Sequence, residues 1–168
     1  VLLFDPLTFT IASGDEDSRD AGLQTLEGIS LIKKHLPGTR TLLGLSNISF
    51  GLKPYARQIL NSVFLEEAIN YGLDGAILHA SKIIPVHQIA PEDVEVTQDL
   101  IHNRRSSDYD PLFIFIDRFA STKGSEIGSG ASESELPIEE VLKNRIIQGK
   151  KPNIDEPLRR ALEKYKPL

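Results

Sequence analysis

The 168-residue chain has no cysteine and no methionine. Without cysteine there is no disulfide framework and no thiolate metal site, a composition that suits a cytoplasmic protein. Methionine is missing even at position 1, and Val1 to Phe4 read as the middle of a core. The expectation is therefore that the polypeptide begins upstream of Val1. No apolar run approaches the roughly 20 residues of a membrane span, and no signal peptide opens the sequence. Positive charge is in deficit, with 19 Lys and Arg against 24 Asp and Glu and a net charge of -5. Phosphate backbones require a positive footprint, which excludes a general nucleic-acid surface. Arg104-Arg105 is too short a basic run to supply one.

Catalytic signatures are absent too. Gly44, Gly51 and Gly72 stand alone rather than in a glycine-rich run that opens a helix, so no phosphate loop is read. Ser46 and Ser49 lack the Gly-x-Ser-x-Gly elbow of nucleophilic serines. The histidines are His35, His79, His87 and His102, and no two have metal-ligand spacing on one helix face.

With 40% hydrophobic and 26% charged residues, the composition is that of a folded globular protein. One pattern occurs three times: a short apolar run, an abrupt polar end, and then a helical segment. The runs are Val1–Phe4 before Asp5-Pro6, Leu42–Leu45 before Ser46-Asn47, and Ala76–Leu78 before His79. Such runs read as parallel strands buried on both faces and covered by helices. In these α/β folds ligands bind outside the carboxyl ends of the strands, where Asp5, Ser46, Asn47 and His79 fall. Three units are too few to close a barrel, so the chain reads as part of something larger.

The helices follow from spacing and punctuation. Asp15, Glu16 and Asp17 suit a helix amino end, Leu23, Leu26, Ile29 and Ile32 form one apolar face, and Pro37-Gly38 stops it. A second helix runs from about Tyr55 to Asn70 on Ile59, Leu60, Val63, Phe64 and Ala68, with Gly72 past its end. Pro91 opens a third, which carries Val94, Leu100 and Ile101 and ends near Asn103. Residues 121–135 have the Gly, Ser and Glu composition of a linker. From Leu136 a helix carries Val141, Leu142, Ile146 and Ile147 up to Gly149. Another spans Ile154 to Tyr165 with Leu158, Ala161 and Leu162 on one side.

Three residues are candidates for chemistry on local grounds. Asp5 is either a turn residue or a carboxylate that faces the pocket and accepts a hydrogen bond from a ring N–H. Asn47 is either an Asx-turn residue or an amide that contacts a heterocycle without bringing charge. Arg57 is either a solvated surface charge or a holder of an anionic ligand tail.

The segment Gly44–Leu52, followed by Asn61-Ser62-Val63-Phe64-Leu65, closely resembles the seventh strand and helix of the pterin-binding barrel in the cobalamin-dependent methionine synthase family. Phe4–Phe9 resembles the sixth strand, Gly72–Ile77 the eighth, and Asp99–Arg105 the closing helix. Leu136–Leu168 resembles the first helices of the cap over the cobalamin. The resemblance implies an α/β fold: the last three strand–helix units of a (β/α)8 barrel in residues 1–120, a linker at 121–135, and an α-helical hairpin at 136–168. It implies a barrel that binds 5-methyltetrahydrofolate and presents its methyl group to cob(I)alamin on a neighbouring domain, with homocysteine bound on a further one. Zinc belongs to the whole protein and not to this segment.

Carried over residue by residue, Asp5 matches the aspartate that bonds the pterin ring, and Asn47 the asparagine near the nitrogen that carries the methyl. Asp5 and Asn47 are thus the catalytic candidates. Arg57 matches an arginine on the following helix, and Gly44 and Ser46 shape the pocket floor. One departure is Ile77-Leu78-His79-Ala80, where relatives read Ile-Val-Asn-Pro. A methyltransferase serving a corrinoid iron–sulfur protein is the alternative within the barrel class. Dihydropteroate synthase is disfavoured because its signature at this strand is Ser-Arg-Lys. A non-catalytic piece that needs a partner for the missing strands is the alternative outside it.

Overall fold

The computed structural model describes residues 2–120, 137–148 and 154–165. The chain divides into two compact units, Val1–Ser125 and Glu126–Leu168. In the first, strands β1 (Leu3–Phe4), β2 (Arg40–Gly44) and β3 (Gly75–Ile77) form a sheet in the order β1-β2-β3. All pairings are parallel, with Leu3 opposite Arg40, Phe4 opposite Thr41 and Leu43 opposite Ala76. Helix α1 (Ala21–His35) links β1 to β2, and α2 (Pro54–Asn70) links β2 to β3. This is the α/β class expected from the repeated pattern, with each helix a crossover between parallel neighbours.

The register explains which strand residues are covered. Thr41 and Leu43 point to the helix side and are fully buried, together with Leu26 and Ile29 of α1 and Leu60 and Phe64 of α2. On the other face Leu3 is 59% and Ile77 63% exposed. The expectation of strands buried on both faces is thus met on one face only among the described residues. Helices cover that face alone, and side chains alternate along a strand.

Local chemistry sets the helix ends. Asp15 to Asp17 do not open α1. Asp15 accepts from the N–H of Asp17 and caps a separate 3-10 turn at Glu16–Ser18, while α1 starts at Ala21. Helix α1 stops after His35, where Gly38 takes φ +86°, and α2 ends with Gly72 at φ +103°. Gly22 is needed for packing: a Cβ there would lie 2.8 Å from the carbonyl of Ile101 in α3 (Pro91–Ile101). The chain between β3 and α3 is anchored midway, because the Ile84 N–H donates to Ser62 Oγ on α2 at 2.8 Å.

Helix α4 (Pro111–Ala120) was not anticipated by the sequence reading. Leu112, Phe115 and Phe119 face inward and are buried, and Phe119 meets Tyr55 of α2 edge-on at 6.0 Å. Asp110, just ahead of α4, accepts two hydrogen bonds from the buried Arg19, at 3.0 and 3.2 Å.

The second unit holds α5 (Ile138–Gln148) and α6 (Asp155–Lys164). Lys164 and the Tyr165 hydroxyl both donate to Glu139, so the end of α6 meets the start of α5. Val141 is buried, whereas Leu158 and Leu162 are 44% and 60% exposed. The linker at 121–135, Leu136 and Gly149 lie outside the described residues.

Candidate functional site at the carboxyl ends of the strands

The parallel sheet sends the ends of all three strands to one side. Asp5 follows β1, Ser46 and Asn47 follow β2, and His79 lies two residues past β3. Asp5 and Asn47 thus follow neighbouring parallel strands at the same end of the sheet.

Asp5 is exposed, and its Oδ1 accepts the N–H of Leu7 at 2.9 Å. This is the Asx-turn expected of an aspartate before proline, and it supports Leu7 at φ +62°, a region a leucine rarely occupies. Among the described residues no donor reaches Oδ2.

Beyond β2 the chain does not simply leave the sheet. Leu45–Ser49 wind into a tight 3-10 helix, closed by the Phe50 N–H donating to the Asn47 carbonyl at 3.1 Å. Leu45, Ile48 and Ser49 are buried, while Ser46 and Asn47 are exposed on the rim. The Asn47 side-chain amide has no hydrogen-bond partner among the described residues, so the Asx-turn alternative for this residue is not realised. Gly44 lies beneath it, and a Cβ at that position would sit 3.4 Å from Asn47 Nδ2.

Arg57, in the first turn of α2, reaches back to this 3-10 turn. Its Nε donates to Ser49 Oγ at 3.1 Å and its Nη2 to the Ser46 carbonyl at 3.2 Å. It is half-buried rather than a solvated surface charge. From the other side, the loop after β1 docks through Ile11 N–H on the Ile48 carbonyl (3.2 Å) and Thr10 Oγ1 on the Phe50 carbonyl (2.9 Å). Sequence reasoning missed Thr10 and Ser49, as well as the rim aromatics Phe9 and Phe50, which are 63% and 69% exposed. The one available signal was the run Ser46–Gly51, in which Ser49 and Phe50 take part. His79 is exposed, with Nδ1 3.0 Å from Ser81 Oγ.

Among the described residues no group of three or more His, Asp or Glu side chains could hold a metal ion, and no helix is long and apolar enough to cross a membrane.

Residues 1–79, which include all three strands, match the family described as pterin binding enzyme. Along its whole length the chain is similar to methionine synthases. It is 47% identical over 169 aligned positions to that of Mycobacterium tuberculosis, and 44% identical over the same length to that of Mycobacterium leprae. Each alignment covers 99% of this chain and 14% of the relative, so the chain spans about one seventh of the length of these proteins.

Proposed function

We propose that this chain forms part of the folate-binding barrel of a cytoplasmic, cobalamin-dependent methyltransferase. In this reading residues 1–120 are the last three strand–helix units of a (β/α)8 barrel, 121–135 a linker, and 136–168 the opening hairpin of the cap domain. The whole protein would pass the methyl group of 5-methyltetrahydrofolate to homocysteine. The observation that carries the reading is the exposed Asn47 amide, with no partner among the described residues, just past β2 and next to the strand that leads into Asp5. Identity to methionine synthases extends across the second unit as well, which favours this over a stand-alone barrel methyltransferase.

The chemistry asks for what these residues can do. A methyl group on a tertiary ring nitrogen departs only when that nitrogen gains positive character. The neutral amide of Asn47 stabilises the protonated ring nitrogen without blocking the methyl. The free oxygen of Asp5 orients the ring by accepting its N–H, and its charge favours the developing cation. Gly44 keeps the floor beneath Asn47 clear, and Ser46 borders it. Arg57 belongs to the site one step removed from the ligand. Cobalamin, held by another domain, supplies the acceptor for the methyl, and homocysteine and zinc belong to a further domain.

The test is methyl transfer by the full-length protein bearing Asn47→Ala. The rate should fall by about 10²–10³-fold with folate affinity changed by only a few-fold, because the amide acts more strongly on the protonated ring. Equal losses in affinity and rate would make Asn47 a binding contact only.

A further inference from the structure

We infer that Arg57 is a positioning residue: it braces the Leu45–Ser49 turn from behind and so sets the direction of Asn47, without acting through the ligand. This rests on the functional reading of Asn47, and three geometric facts carry it.

First, the guanidinium uses two N–H groups on one edge. Nε binds Ser49 Oγ and Nη2 binds the Ser46 carbonyl, while Ser49 Oγ itself donates to that carbonyl at 3.2 Å. Ser46 O, Ser49 Oγ and the arginine edge therefore close a small triangle. A planar fork of fixed donors can hold two acceptors at once, which the point charge of a lysine cannot.

Second, the clamped carbonyl belongs to the peptide plane that ends at the Asn47 nitrogen. Peptide planarity transmits its orientation directly to the Asn47 backbone. Two donors on this oxygen thus fix the plane from which Asn47 departs.

Third, the Asn47 side chain has no anchor of its own among the described residues, and Gly44 beneath it offers no side chain to lean on. Its aim depends on its backbone. The residues that follow it are held through the carbonyls of Ile48 and Phe50, which accept from Ile11 N–H and Thr10 Oγ1, so Arg57 on the Ser46 carbonyl completes the second jaw of a clamp. A displacement of about 1 Å at a catalytic group costs on the order of 10²-fold in rate, which makes such a clamp matter.

The experiment uses the full-length protein with Arg57→Lys, Arg57→Ala, Ser49→Ala and Asn47→Ala, and Arg57→Lys combined with Asn47→Ala. Methyl-transfer rate and KM for methyltetrahydrofolate are measured alongside amide hydrogen exchange of Phe50 and Leu52. Exchange should rise in both Arg57 variants and in Ser49→Ala, and kcat should fall by about 10–10²-fold with KM within a few-fold. The lysine variant should be as poor as the alanine one. In the Asn47→Ala background the Arg57 substitution should cost almost nothing more. Rescue by lysine, a change confined to KM, or additive losses would overturn the proposal and make Arg57 a ligand contact. Unchanged exchange in the Arg57 variants would overturn it whatever the kinetics. An Asn47→Ala variant of normal rate would overturn the functional reading instead, while faster exchange would still support the clamp.

Discussion

Asp74 and Thr41 bind each other through three hydrogen bonds across neighbouring strands. Asp74 Oδ2 accepts from the Thr41 N–H at 2.8 Å and from its hydroxyl at 3.2 Å, and the Asp74 N–H donates to Thr41 Oγ1 at 3.2 Å. Lys33 and Arg40 add ion pairs at 2.8 and 2.7 Å. The cluster lies at the amino ends of β2 and β3, opposite the candidate site, where a parallel α/β fold invests in stability rather than chemistry.

Asp74→Asn should lower the melting temperature of the chain at neutral pH. Hydrogen bonds from Lys33, then from Arg40 and the Thr41 N–H, hold the Asp74 carboxyl well below the usual aspartate range. A depressed folded value means the contribution is complete above the unfolded value of about 4 and fades as pH falls below it. The difference between wild type and Asp74→Asn should therefore be constant from about pH 5 to 7 and shrink in more acid solution. Thermal melts across that range check it, and a difference growing toward low pH would contradict it.

Asp5→Asn separates the two roles of this residue. Asparagine keeps the side-chain carbonyl that accepts from Leu7 N–H, so the turn and the melting temperature should be preserved. The charge and one acceptor are lost, so folate affinity of the full-length protein should fall about tenfold or more. Unaltered affinity would leave Asp5 with the turn alone.

Gly22→Ala should destabilise the first unit by about 1–3 kcal/mol. The added carbon would meet the Ile101 carbonyl, a backbone atom that moves only if α3 moves. Chemical denaturation measures this, and a neutral result would mean that α1 and α3 are less closely packed than described.

Phe115→Ala should cost about 3–5 kcal/mol, as expected for deleting a fully buried ring. Phe115 also packs against Phe119, with ring centroids 4.7 Å apart and planes tilted by 57°, so the loss should extend to the contact of α4 with Tyr55. A small effect would show that α4 is not part of the core.

Much of this was legible locally. The junctions at Asp5, Ser46-Asn47 and His79 stood out because a buried strand ends abruptly where the chain turns polar. Gly38 and Gly72 marked helix ends because only glycine takes their positive φ at little cost. Buried positions such as Leu26, Ile29, Leu60 and Phe64 followed from helical spacing. Helix α4 escaped because Leu112 to Ile116 is an unbroken apolar run with no clear period. The family resemblance pointed to the candidate site residues by position, yet it could not say what Arg57 touches.

What the sequence determined by itself is the succession of three strand–helix units and the residues stationed at the strand ends, because burial patterns and turn residues act over a few positions. The tertiary structure decided what those residues are free to do. Whether Asn47 closes a turn or stands open, whether Arg57 meets solvent or grips Ser46, and whether Arg19 finds Asp110 91 residues away all depend on chain segments that meet only after packing.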